Sequence, residues 1–217
     1  MTAQEQTGQA DQAHQAHQAH QAGEDAPADF PSQAHWAQWL AAHHASSRGI
    51  WLRIAKQGAP QPSVSHPQAL EVALCFGWID GQRKSLDAHY WLQRFTPRGA
   101  RSIWSKVNRE KALAYIAAGR MQASGLAEVE RAQRDGRWDA AYDPGSTAQV
   151  APDLQRALDD NPGAAAFFVK LDARNRYAVL FRIHTAKKPE TRARRIAQFV
   201  AMLARGDTLH PAARARA

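Results

Sequence analysis

The sequence predicts an α+β fold: a small three-stranded antiparallel sheet packed with helices, followed by a helical C-terminal region. Three observations carry this. Strict alternation marks GIWLRIAK (Gly49 to Lys56) as a strand. Two extended runs, Trp78 to Lys84 and Tyr90 to Phe95, flank a short polar joint, Ser85 to His89, as in a β-hairpin. From Asn108 onward, apolar residues recur at helical rather than strand spacing.

The chain has 217 residues, 44% hydrophobic and 22% charged, as in ordinary globular proteins. Seven tryptophans, Trp36 to Trp138, offer enough apolar area for a core. No apolar run approaches the ~20 residues needed to span a bilayer. The N-terminus lacks the basic start and apolar stretch of a secretory signal. A single cysteine, Cys75, cannot close an internal disulfide. A cytoplasmic location is the expectation.

Residues 1–29 read as a disordered His/Gln/Ala-rich tail with five carboxylates and no Lys or Arg. Within it, His14, His17 and His20 lack the carboxylate or thiolate company of a specific metal site, so no metal is expected. The chain totals +8, so the remainder carries +13, mostly as arginine. That excess suits an anionic small molecule, nucleic acid or an anionic surface, or serves only solubility.

Ser32 caps a helix bearing Trp36, Trp39, Leu40 and His43. Gly58 to Pro62 is a loop. Ser65 and Gln68 form a capping box for an apolar helix over about Pro67 to Phe76, with Gly77 closing it and Cys75 a buried, inert thiol on it. On the first hairpin strand, period two puts Trp78, Asp80, Gln82 and Lys84 on one side, opposite Ile79, Gly81 and Arg83. On the second, Tyr90, Leu92 and Arg94 oppose Trp91, Gln93 and Phe95. The region 30–107 is thus the sheet-containing part, and 108–211 the helical part.

In the helical part, Asn108 caps a helix with Leu113, Ile116 and Ala117 inward, ended by Gly119. Leu126 and Val129 mark the next, ended by Gly136. Arg137 to Ser146 is a loop, and Pro152 opens a helix that Asn161-Pro162 ends while starting another. Tyr177, Leu180, Phe181 and His184, then Ile196, Phe199, Val200 and Leu203, give two amphipathic helices. Residues 212–217 read as a frayed tail.

The stretches ALCFGWIDGQRK, YWLQRFTPR, WSKVNRE and RYAVLFRIHTAKKPETRARRIAQFVAMLARG resemble the bacterial YdeI/OmpD-associated family, also labelled bacteriocin-protection proteins, over about Phe30 to Pro211. The resemblance implies an α+β protein with a helical C-terminal region. It also implies a link to resistance against cationic antimicrobial peptides and, in name, to an outer-membrane porin. It implies no reaction and no catalytic residue.

Three residue groups stand out as candidate sites. The first is an anion cradle of Asp80, Gln82, Arg83, Lys84, Gln93 and Arg94, joined by Trp104, Lys106 and His184; Arg supplies bidentate bonds and Trp a flat wall. The competing reading is an internal network in which Asp80 pairs with Arg83 or Arg94. The second is the cluster Lys187, Lys188, Arg192, Arg194 and Arg195, a nucleic-acid or lipid contact or else a solvated helix face. The third is His184 alone, as a core histidine or a general base. There is no nucleophile elbow, Gly-rich phosphate loop, HExxH or paired cysteine, so no cofactor and no catalytic residue is expected. The leading reading is a binding protein; the rivals are an enzyme on a small anionic metabolite, built from Asp80, Arg83, Arg94 and His184, and a nucleic-acid binder. The protein partner, if any, is left open.

Overall fold

The computed structural model describes residues 26–211. The tail histidines and residues 212–217 lie outside the described residues. Contacts divide the chain into two compact units. The first comprises residues up to Ile103 together with Asn108–Asp139; the second comprises Trp104–Val107 and the chain from Ala140.

The first unit is built on a four-stranded sheet of order β1-β2-β4-β3. The strands are β1 (Pro27–Ala28), β2 (Ile50–Ala55), β3 (Trp78–Ser85) and β4 (Tyr90–Pro97). β2, β4 and β3 are the expected antiparallel trio. The fourth strand corrects the expectation of three. Pro27 and Ala28 pair in parallel with Trp51 and Leu52, so the end of the stretch read as tail is a strand. A two-residue strand containing Pro has no periodicity to read. Asp29, just after it, is bonded to Arg53 of β2.

Helices α1 (Gln33–His43) and α2 (His66–Cys75) back one face of this sheet. The Ser32 side chain caps α1, and the Ser65/Gln68 capping box opens α2. Gly77, at φ +76°, ends α2 and turns the chain into β3, a conformation that a Cβ would disfavour. The core between helices and sheet is aromatic. Trp36 stacks on Trp39 at 5.4 Å and meets Trp78 edge-on at 6.4 Å and Phe95 at 5.7 Å. The Trp36 indole N–H donates to the Ala69 carbonyl at 3.0 Å, so burying it leaves no orphan donor.

Two further helices follow, α3 (Lys106–Ala117) and α4 (Ala123–Arg134). α3 begins before Asn108, which lies within it rather than capping it. The buried residue of α3 is Ala112, whereas Leu113 and Ile116, expected inward, are 49% and 36% exposed. α4 buries Gly125, Val129 and Ala132 but leaves Leu126 exposed. Its Gly125 lies so close to α2 that a Cβ there would come within 2.2 Å of the Cys75 carbonyl oxygen. Cys75 is buried, and burial pushes its thiol up.

The second unit packs α5 (Pro152–Asp159), α6 (Pro162–Lys170), α7 (Ala173–His184) and α8 (Pro189–Ala204). Leu154, Phe168, Val179, Ile183, Phe199 and Leu203 are central to its core. Asn161 caps α6 through the Ala164 N–H at 3.0 Å. The buried stripe of α7 is Val179, Leu180 and Ile183. It is rotated from the predicted one: Tyr177 and Phe181 are half-buried and His184 is exposed. Both stripes fit helical spacing, and only packing chooses between them.

Candidate functional site

A β-bulge between Asp80 and Arg83 reorganises the predicted cradle. Asp80 pairs with Phe95 and Arg83 with Gln93, and those two β4 residues share a face. Asp80 and Arg83 therefore lie on the same side, and Lys84, opposite Leu92, lies on the other. Simple alternation gives the reverse. The extra residue in a bulge shifts the phase of everything beyond it. Gln93 secures this irregularity: its side-chain amide donates to the Gly81 carbonyl at 3.1 Å and to the Gln82 carbonyl at 3.2 Å. Gln93 is 3% exposed, so it belongs to the scaffold and is not an open ligand group. Gln82 is exposed at the bulge.

On the helix-backed face, Asp80 pairs with neither Arg83 nor Arg94. Its partner is His66, in the first turn of α2, whose Nε2 lies 3.0 Å from the carboxylate. The His66 ring also lies 5.8 Å from that of Trp91. The Arg83 guanidinium sits over Trp91, 3.8 Å from the ring centre.

The opposite face of the sheet gathers three cations around two aromatic rings. The Lys84 ammonium lies 4.3 Å from the centre of the Trp51 ring, and the Arg94 guanidinium 5.7 Å from it. One step along, Arg53 sits 4.3 Å over Tyr90. Register explains the grouping: Trp51 pairs with Arg94, Arg53 with Leu92, and Leu92 with Lys84 on its other side. Each cation–ring contact is worth about 0.5–1 kcal/mol where water reaches it. Trp51 is 5% exposed beneath its cations, while Arg53 and Ala55 on the same face of β2 are half-buried. Asp29 is bonded to Arg53 of this group. Trp51 and Arg53 share a face of β2, and the strand register adds Lys84 and Arg94 to them.

The other proposed members belong to the second unit. Trp104 is buried, the Lys106 ammonium pairs with Asp143 at 2.7 Å, and the exposed His184 has its Nε2 3.3 Å from the Ala140 carbonyl. His184 is thus not a core histidine. In the basic cluster, Arg192 grips Asp153 through Nε at 2.5 Å and Nη2 at 2.8 Å and donates to the Ile183 carbonyl at 3.0 Å. Arg195 donates to the Arg182 carbonyl. These two arginines close the C-terminal end of α7, whose last carbonyls need donors. Lys187, Lys188 and Arg194 are exposed. The Arg192 guanidinium holds the Asp153 carboxyl below the usual carboxylate range.

Among the described residues, no group of three His, Cys, Asp or Glu side chains could hold a metal ion. Among the same residues, no helix is long and apolar enough to cross a membrane.

Residues 147–206, within the second unit, match the model of the family described as Bacteriocin-protection, YdeI or OmpD-Associated. Residues 28–128 match a different model, a domain of unknown function, DUF8412. Three of the four stretches that suggested the family, ALCFGWIDGQRK, YWLQRFTPR and WSKVNRE, fall within this second match. No curated protein and no solved structure matches the chain.

Proposed function

We propose that the protein is a binding protein whose first unit holds an anionic ligand on the cation-bearing face of its sheet. The observation that carries this reading is the placement of Arg53, Lys84 and Arg94 around Trp51 and Tyr90. Guanidinium groups offer paired donors to carboxylate or phosphate, and the rings beneath supply a flat surface once the cations swing toward a ligand. Relative to the cradle read from sequence, this site keeps Lys84 and Arg94, adds Arg53, Trp51 and Tyr90, and releases Asp80 and Gln93 to structural duty.

The tolerance to bacteriocins named in the family description belongs to this proposal in one form. A body this basic repels cationic peptides, so such a role would run through an anionic partner in a cytoplasmic setting, not through capture of the peptide. Titration with phosphate, AMP and citrate, followed by tryptophan fluorescence, tests the site. A saturable signal that Lys84→Gln and Arg94→Gln each weaken is expected. No response at millimolar ligand overturns the proposal. A single-stranded oligonucleotide in the same series tests the nucleic-acid alternative, which requires steep loss of binding with salt.

A further inference from the structure

The second unit contains a cleft of about 710 Å3 along α7, within the range of small-molecule sites. Its floor is the half-buried stripe that sequence periodicity misassigned to the core. Tyr177 and Phe181 lie one helical turn apart with ring centres 5.7 Å from each other, and Ala178 leaves room beside them. Arg174 and Arg182, eight residues apart on α7, both line it; that separation is about 12 Å along a helix.

The walls are built, not incidental. The Tyr177 hydroxyl donates to the Asp143 carbonyl at 3.1 Å, which fixes the ring. Gly145 packs against that ring so closely that a Cβ would lie 3.2 Å from its Cγ. On the other side stands His210. Its backbone N–H donates to the Asn175 Oδ1 at 2.8 Å, and its carbonyl accepts from the Asn175 Nδ2 at 3.0 Å. Asn175 is 5% exposed, so this two-point clasp is sheltered from water and fixes the chain at His210 beside the cleft.

The charge of the cleft has one sign. Its lining includes Arg174, Arg182 and His210 and no Asp or Glu. The nearby carboxylates are engaged: Asp143 by Lys106 at 2.7 Å, and Asp172 by the Asn175 N–H at 2.7 Å. An aromatic floor between two guanidinium groups, with no carboxylate in the lining, selects one class of ligand. We propose that this cleft binds a small organic anion with a flat apolar body, an aryl or arylalkyl carboxylate or phosphate. The body lies on Tyr177 and Phe181, and the anionic group meets Arg174 or Arg182. The site shares no residue with the sheet face and does not depend on that reading.

The test uses the full chain and 4-phenylbutyrate, with the neutral 4-phenylbutanol and inorganic phosphate as controls, read by calorimetry and by NMR shifts. Saturable binding of the acid is expected, at least roughly tenfold tighter than either control, because a charge-assisted contact is lost with the alcohol and the apolar floor with phosphate. Arg174→Gln combined with Arg182→Gln should abolish the preference for acid over alcohol. Ala178→Trp should fill the cleft and abolish binding of both. Equal binding of acid and alcohol by the unaltered chain, or no saturation with the acid, overturns the proposal even if a variant fails to fold. So does acid binding that survives Ala178→Trp.

Discussion

The side-chain amide of Gln93 is hydrogen-bonded to the backbone carbonyl of Gly81 across the β3–β4 pair, at 3.1 Å. The same amide reaches the Gln82 carbonyl, so one buried side chain satisfies the acceptors that the bulge removes from the ladder. Gln93→Leu should destabilise the first unit by about 1–3 kcal/mol, the usual cost of stranding buried polar groups. Urea melts measure the loss. Amide exchange should rise first at Gln82 and Arg83; uniform exchange across the sheet would show that Gln93 does not pin the bulge.

Trp36 is completely buried among Phe30, Trp39, Trp78 and Phe95, and its indole N–H is bonded to Ala69. Trp36→Phe keeps a ring but loses the bond to the Ala69 carbonyl and leaves a void. A loss of about 1–3 kcal/mol is expected for it, against about 3–5 kcal/mol for Trp36→Ala. Thermal melts should rank the two variants in that order.

Gly125 allows α4 to lie against the end of α2. A methyl group there would meet the Cys75 carbonyl oxygen, which is backbone and cannot swing aside. Gly125→Ala should therefore cost at least about 1–3 kcal/mol, despite the higher helix propensity of alanine. At Gly163, in the first turn of α6, the nearest atom to an added Cβ is Asn161 Oδ1 at 3.6 Å, so Gly163→Ala should be neutral or mildly stabilising. Denaturant midpoints of the two variants should move apart.

Asp153 and Arg192 make a pH-dependent contribution to the second unit. Hydrogen bonds from Arg192 depress the folded-state pKa of Asp153. A depressed carboxylate stabilises the fold above its unfolded value, ~3.9, and this contribution disappears as pH falls through the lower folded value. Asp153→Asn should cost about 1 kcal/mol near neutrality, since the pair is partly solvated, and the difference from the unaltered chain should vanish in acid. A difference that grows on acidification would contradict the assignment.

Cys75 should resist alkylation in the native state. It is buried, and burial raises its thiol pKa, so little thiolate is present or reachable. Iodoacetamide labelling followed by mass spectrometry should show modification only as the chain unfolds.

Much of the fold was legible because local chemistry and tertiary structure agree. Ser65 and Gln68 marked the start of α2, Gly77 its end, and Asn161-Pro162 the junction of α5 and α6. The hairpin was legible from its two runs and short joint. The arrangement of its side chains was not, because one inserted residue inverts which groups share a face. Gly81 was the available signal, since glycine inside a strand often marks a bulge. The role of His66 was hidden for another reason: its partner Asp80 lies fourteen residues away on another element. For α7, two overlapping stripes satisfied the same periodicity, and the one with more aromatic residues was not the one that packs inward. The aromatic stripe became the cleft floor.

The bulge has a consequence at the rim of the sheet. β3 is an outermost strand, and straight outermost strands invite other chains to add on and polymerise. Here the kink breaks the row of donors and acceptors, and Arg83 and Lys84 place repelling charge on either side of it. On the far rim, β1 is two residues long and contains a proline that has no N–H to offer. The same irregularity that sorts the cations onto separate faces thus also guards the protein against fibril growth.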